Sequence, residues 1–175
     1  MLRGKRVNLR LVQETDLDEF IELWHDVRAR GPYYPLGLTP AVVRRSEYLE
    51  TGYWQDDMGR MVIEDKEGVL VGQILCFKPA GYMNALELAY IILRPESRGK
   101  GYMTEAVRLF TDYLFDLHKI NRIQLTAVVG NEGSKRVAEK CGFKSEGILR
   151  QAMFHTGRNV DIEMFSLLRD ERPKI

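Results

Sequence analysis

Cysteine is scarce in this chain, with Cys76 and Cys141 the two among 175 residues. Two thiols in dissimilar contexts argue against a disulfide scaffold and fit a reduced, cytoplasmic setting, in which both read as small buried residues. Long hydrophobic runs are missing as well. The longest uninterrupted apolar stretch, Leu88 to Leu93, holds six residues, far short of the ~20 that span a bilayer, so no membrane partner is expected. The basic start, Met1 to Arg10, does not run on into the ~7–15 apolar residues of a secretory leader, and none is expected. No charge of one sign dominates. Twenty-six Lys and Arg stand against 25 Asp and Glu, a net charge of +1, which argues against direct nucleic-acid binding through many neutralised phosphates. Histidine is also sparse. His25, His118 and His155 lie far apart without paired ligand spacing, so no metal site is expected.

What the chain does hold is ordinary globular material, 45% hydrophobic and 29% charged. At this length it can bury roughly two-thirds of its unfolded surface without staples. With no repeat, low-complexity block or linker, residues 1–175 read as one domain. Hydrophobic spacing predicts a strand over Arg6–Val12. A helix capped at Thr15 or Asp16 follows, carrying Leu17, Phe20, Ile21, Trp24 and Val27. The segment from Gly31 to Gly37 cannot be helical, and a second helix runs from Thr39-Pro40 to about Glu50. Asp65-Lys66-Glu67-Gly68 has the composition of a hairpin turn between Met61–Glu64 and Val69–Phe77. Ala85–Leu93, apolar on both parities except at Glu87, reads as a central strand covered on both faces and stopped by Arg94-Pro95. Gly101–His118 carries a helical stripe of Met103, Ala106, Val107, Phe110, Leu114 and Leu117. It crosses between the Ala85 strand and an alternating strand at Arg122–Val129, so those two strands are expected to be parallel. A helix over Glu132–Cys141, ended by Gly142, precedes strands Phe143–Phe154 and Val160–Leu168 around Thr156-Gly157. The expected class is mixed α/β with a central mixed sheet flanked by helices.

The string Leu93-Arg94-Pro95-Glu96-Ser97-Arg98-Gly99-Lys100-Gly101-Tyr102-Met103-Thr104 links the central strand to the long helix. Unpartnered helix N–H groups, the helix dipole, two glycines and the cations Arg98 and Lys100 together describe an anion site. The plainer alternative is a glycine turn with solvated cations. Neither GxxxxGK[ST] nor GxGxxG is present, which argues against the nucleoside triphosphate and dinucleotide folds. The string instead resembles the acyl-coenzyme A loop of the GNAT superfamily of N-acetyltransferases, whose pattern is Gln or Arg, two residues, Gly, one residue, then Gly or Ala. Arg98, Gly101 and Met103 hold its three places, Met103 standing where the pattern has a small residue. Thirty-three residues after Arg98, the run Asn131 to Phe143 resembles the family's second cofactor segment. Val160–Leu168 resembles the last strand of the branch that acetylates ribosomal-protein N-termini and related amines.

This resemblance, over roughly Arg3 to Arg169, implies a GNAT fold in which the central strand and its parallel neighbour splay apart. It implies acetyl-CoA as co-substrate, with no metal, held by Arg98, Gly99, Lys100, Gly101, Tyr102, Met103 and Thr104. Asn131 and Ser134 then fall beside the pantetheine arm, and backbone groups of Ile91, Ile92 and Leu93 pair with its amides. The implied partner is a primary amine acceptor, foremost a peptide or protein N-terminus. A polyamine, aminosugar or antibiotic amine is the second reading, and a catalytically silent acyl-CoA sensor the third. A monomer and a homodimer both fit the resemblance.

Acetyl transfer needs a neutral amine, a route for its proton, and a donor for the departing thiolate. At pH 7 deprotonating a lysine-type amine costs about 4.6 kcal/mol and an α-amine about 1 kcal/mol, so an α-amine asks much less of a base. Glu87 is the candidate base, being the one ionisable side chain within the apolar central strand; a glutamate paired with a basic neighbour or exposed at a splayed edge is the alternative. Many relatives place a tyrosine seven residues after the asparagine to protonate the thiolate, but here that place is Ala138. Ser134 is the candidate substitute, against an ordinary first-turn serine. His155, near Arg158 and Asp161, either lines an acceptor pocket or sits exposed in a turn. Tyr33, Tyr34, Leu36, Tyr53 and Trp54 cluster around the first two helices, as acceptor contacts or as core. The proline-flanked Tyr33 and Tyr34 are the better contacts.

Overall fold

The computed structural model describes residues 1–56 and 58–173. The strands are β1 (Leu2–Arg3), β2 (Val7–Leu11), β3 (Trp54–Gln55), β4 (Met58–Asp65), β5 (Leu70–Phe77), β6 (Ala85–Ile92), β7 (Arg122–Val128), β8 (Lys144–His155) and β9 (Arg158–Leu168). The helices are α1 (Leu17–His25), α2 (Ala41–Thr51), α3 (Tyr102–Leu117) and α4 (Glu132–Lys140). The strands form one sheet in the order β1-β2-β4-β5-β6-β7-β9-β8, with β3 beside β4. Every pair is antiparallel except β6–β7. The parallel pair is the one forced by the α3 crossover, as the spacing predicts.

Alternation along each strand sends side chains to two different cores. Leu9, Met61, Ile63, Leu86 and Leu88 meet the α3 stripe of Met103, Ala106, Val107, Phe110 and Leu114. Val62 and Ile91 face the other way, onto Leu17, Phe20 and Ile21 of α1. The central strand is thus covered on both faces, which is why its sequence is apolar at both parities. Glu105 fastens α3 to the first strands: its carboxylate accepts the backbone N–H groups of Lys5 (2.9 Å), Arg6 (2.7 Å) and Val7 (2.8 Å).

Several expectations change. The first helix stops at His25, before Val27 and the Gly31-Pro32 break. Asp16 does not cap it with its side chain; that carboxylate instead holds Arg10 and the Gln13 N–H. Trp54 leaves the aromatic group of the first helices and packs edge-on against Phe110 and Tyr113 of α3, because strand β3 points it to that face. The two-residue strands β1 and β3 are too short to leave a periodic signal.

Candidate active site

The site begins where the parallel pairing ends. β6 and β7 are in register from Ala85↔Arg122 to Leu88↔Leu125 and no further. β7 runs on with β9 as far as Val128↔Ile162, while β6 runs on with β5 as far as Ile92↔Gly72. The strands therefore splay after Leu88. The Leu93 N–H donates to the Val71 carbonyl at 2.9 Å, on the β5 side. Strand alternation then turns the backbone groups of Tyr90 and Ile92 into the gap. Of the expected backbone trio, Ile92 faces the opening, whereas Leu93 and, by the same alternation, Ile91 turn their amides toward β5.

A cleft of about 490 Å³ fills this splay. Ile91, Ile92, Arg98, Gly99, Gly101, Tyr102, Met103, Thr104, Asn131, Ser134, Tyr33 and Tyr34 all line it, so residues far apart in sequence converge. Leu93, Lys100, Glu87 and His155 are not among its lining residues. Gly99 and Gly101 both sit at positive φ, 74° and 80°. That left-handed backbone suits glycine, and it delivers the first α3 N–H groups to the cleft without a side chain in front of them. Met103 is buried, its side chain committed to the α3 core.

Arg98 behaves differently from a free phosphate ligand. Its guanidinium donates to the Ile92 carbonyl at 3.1 Å and to the Ala29 carbonyl. It therefore ties the loop after α1 to the open edge of β6. Two further bonds close this loop over the cleft: the Tyr33 hydroxyl donates to the Gly130 carbonyl at 2.9 Å, and His155 Nε2 meets the Pro32 carbonyl at 2.6 Å. A carbonyl only accepts, so Nε2 is the donor of this bond. His155 is buried, which answers the exposed-turn alternative; its place is behind the loop that carries the tyrosines.

At the far side of the gap Asn131 caps α4, its side-chain oxygen accepting the Ser134 N–H at 3.1 Å. The Ser134 hydroxyl lies 2.9 Å from the Tyr90 phenol. Burial pushes that phenol up to about 12, against a smaller opposing pull from Ser134. Ala138 is fully buried one turn along. Tyr90 escaped the sequence reading because it sits inside a run of strand residues; its cue was being the one hydroxyl in Leu88–Leu93. Glu87 lies on the α1 side of β6. Its carboxylate accepts from Gln124 Nε2 (2.8 Å) and Thr126 Oγ1 (3.3 Å) on β7, two neutral donors rather than the basic neighbour of the alternative reading.

The sequence profile described as the acetyltransferase (GNAT) domain matches residues 6–144. The chain belongs to the GNAT acetyltransferase family. "Probable N-acetyltransferase YjcK" of Bacillus subtilis is 31% identical over 98% of this chain and 98% of its own. The spermidine N(1)-acetyltransferase of Vibrio cholerae is 30% identical over 64% of each chain. Among solved structures, a GNAT-family acetyltransferase from Bacillus anthracis superposes with a TM-score of 0.82 at 24% identity, covering 97% of this chain and 99% of that one. Spermidine N-acetyltransferase from Vibrio cholerae, in complex with CoA and spermine, gives 0.83 at 24% identity over 96% and 98%. This GNAT protein is an N-acetyltransferase built on the mixed sheet expected from its sequence, with the splay that the family resemblance implies. Among the described residues no helix is long and apolar enough to cross a membrane.

Proposed function

We propose that this GNAT enzyme takes acetyl from acetyl-CoA seated in the β6–β7 splay and transfers it to the α-amine of a peptide or protein N-terminus. The observation that carries the reading is the splay itself, with backbone groups of Tyr90 and Ile92 unmatched by β7 at its open side and the α3 N–H groups exposed by Gly99 and Gly101 at its entrance. Pantetheine amides suit the strand edge, and the pyrophosphate suits the helix end. In this reading the Tyr90 phenol, protonated at neutral pH, donates to Ser134 Oγ. The serine hydrogen is then free to meet the sulfur as the carbon–sulfur bond breaks. The amine's proton goes to Glu87 through solvent.

The cleft lining favours this acceptor over a polyamine. Arg30, Arg98, Arg136 and Lys140 line it, and no carboxylate does among the described residues. A polycation would meet like charge there. The test is mass detection of acetylated product with acetyl-CoA and a panel of unblocked peptides beside spermidine. Peptide α-amines are expected to be acetylated with kcat/KM at least 10-fold above spermidine; the reverse order overturns the reading. Glu87→Gln is expected to lower turnover on the favoured peptide while leaving acetyl-CoA affinity within about twofold, and unchanged turnover removes Glu87 from proton transfer.

A further inference from the structure

The wall of the cleft opposite α3 contains positive charge without its counter-charge. Arg30 is 5% exposed and lines the cleft, its guanidinium 5.3 Å from the Trp24 ring and 6.0 Å from the Tyr34 ring. Its two terminal nitrogens reach the carbonyls of Gly37 and Leu36, and its Nε has no partner. Behind Tyr34 stands Arg60, held between Tyr53 (4.8 Å) and Phe20 (5.7 Å), with Nη1 also unpartnered. Arg44 also lies over the Trp24 ring, 5.5 Å from its centre, and pairs with Glu47 at 3.1 Å. Gln73 is fully buried on the same sheet face, opposite Ile91, and neither of its side-chain polar atoms has a well-formed hydrogen bond; its neighbour Tyr34 has a phenol that burial foremost pushes up, against smaller opposing pulls from Arg60 and Gln73. Trp24 Nε1 is a further buried donor with no partner.

Arg10 shows what the same chain does with a structural arginine: two carboxylates, Asp16 and Glu64, bond to it. Among the described residues no carboxylate bonds to Arg30 or Arg60; Asp26 and Glu47 act on them only from a distance. Burial, reinforced by Arg44, pulls both guanidiniums down, the direction of cations held without a counter-ion. An uncompensated buried charge and orphaned buried donors are costly, and they persist where something else completes them.

We infer that the missing anion comes with the acceptor: Arg30, which lines the cleft, and Arg60, behind Tyr34, form a carboxylate subsite that selects amines bearing a carboxylate a few bonds away. The inference rests on the proposed function for the amine, and it names what that amine carries. Planar guanidinium forks match a carboxylate, and an unpaired site rejects a neutral isostere strongly because its donors stay unmet. An acidic first side chain of a peptide and the α-carboxylate of a free amino acid present the same chemistry.

Two measurements separate the inference from the function it rests on. Binding to the CoA-loaded enzyme is followed with glutarate and its neutral diamide, glutaramide, which contain no amine. Glutarate is expected to bind at least 10-fold more tightly, and Arg60→Met is expected to abolish the difference while keeping the thermal midpoint, since it removes an uncompensated buried charge. Should Arg60→Met unfold the protein, Arg30→Gln takes its place. Equal binding of the two probes overturns the subsite whatever the enzyme acetylates. In turnover, Glu-Ala-Ala-amide is compared with Gln-Ala-Ala-amide and with free glutamine, which separates the side-chain source from the α-carboxylate source. A 10-fold preference for either carboxylate-bearing acceptor, expressed in KM and lost in Arg60→Met, supports the inference; a preference for Gln-Ala-Ala-amide over both overturns it. Failure of every peptide α-amine with retained glutarate binding overturns the N-terminal reading alone.

Discussion

At the scale of single residues, the proposed answer to the vacancy at Ala138 pairs Ser134, within the second cofactor segment, with Tyr90 of β6, outside it. Ser134→Ala is expected to slow turnover by ~10- to 100-fold, the range of general-acid effects. Tyr90→Phe, which keeps the ring but removes the phenol, is expected to lose a smaller part of the same step; wild-type turnover in both variants excludes the relay. Glu146 offers an independent check on the electrostatics of the sheet. Its carboxylate accepts from Arg122 at 2.6 Å and 2.7 Å and from Ser166, and the Arg122 guanidinium foremost pulls it down to about 2. A carboxyl lowered on folding adds stability above its unfolded value, near 4.3, and that stability fades as pH falls toward 2. Titration of Glu146 by NMR should therefore give a midpoint near 2, rising toward the ordinary glutamate range in Arg122→Gln; an ordinary midpoint in the wild type contradicts the pairing. Glu87 was legible because it interrupts an apolar strand, whereas Asn131 and Ser134 were singled out by the resemblance to the family's second cofactor segment. The sequence carried no sign of the proposed subsite, since Arg30 in the loop after α1, Arg60 on β4 and Gln73 on β5 come near one another only once the chain is folded.

At the scale of elements, the strand and helix periods were legible wherever a segment was long. The hairpin at Asp65–Gly68 and the α3 and α4 helices stand where the spacing puts them, and so does the turn at Thr156-Gly157. The loop after α1 was legible only as a break, because what fixes it is tertiary: Tyr33 to Gly130, His155 to Pro32 and Arg98 to Ala29. The Glu105 clamp was equally invisible, its partners lying about a hundred residues away in sequence. It joins the start of the chain to the helix whose N-terminus serves the site. Burial opposes ionisation of Glu105, but three backbone N–H bonds outweigh it and hold the carboxylate below its usual range. Glu105→Ala is expected to cost about 2 kcal/mol by denaturant unfolding, the scale of hydrogen bonds to a charged group reduced for partial exposure. A loss below about 0.5 kcal/mol contradicts the clamp.

At the scale of the molecule, one sheet is shared between two tasks. In the proposed reading its α3 and α4 face supplies the cofactor groove and its α1 and α2 face the acceptor wall, the two meeting where β6 and β7 part. The parallel pair was legible from the crossover, but its divergence after Leu88 was not, since apolar residues continue along both strands without a mark. Family resemblance supplied that expectation, and the register supplies the observation. The most direct test is thermal unfolding of wild type and Gly101→Asp across an acetyl-CoA titration. Gly101 holds a φ of 80°, and aspartate tolerates that region better than most side chains and suits a helix N-terminus, so the fold should survive while pyrophosphate is repelled. The expected result is a midpoint that climbs with acetyl-CoA in the wild type and stays flat in a folded Gly101→Asp. A wild-type midpoint that does not move at saturating acetyl-CoA, or an equal climb in both proteins, contradicts a cofactor seated at this helix end.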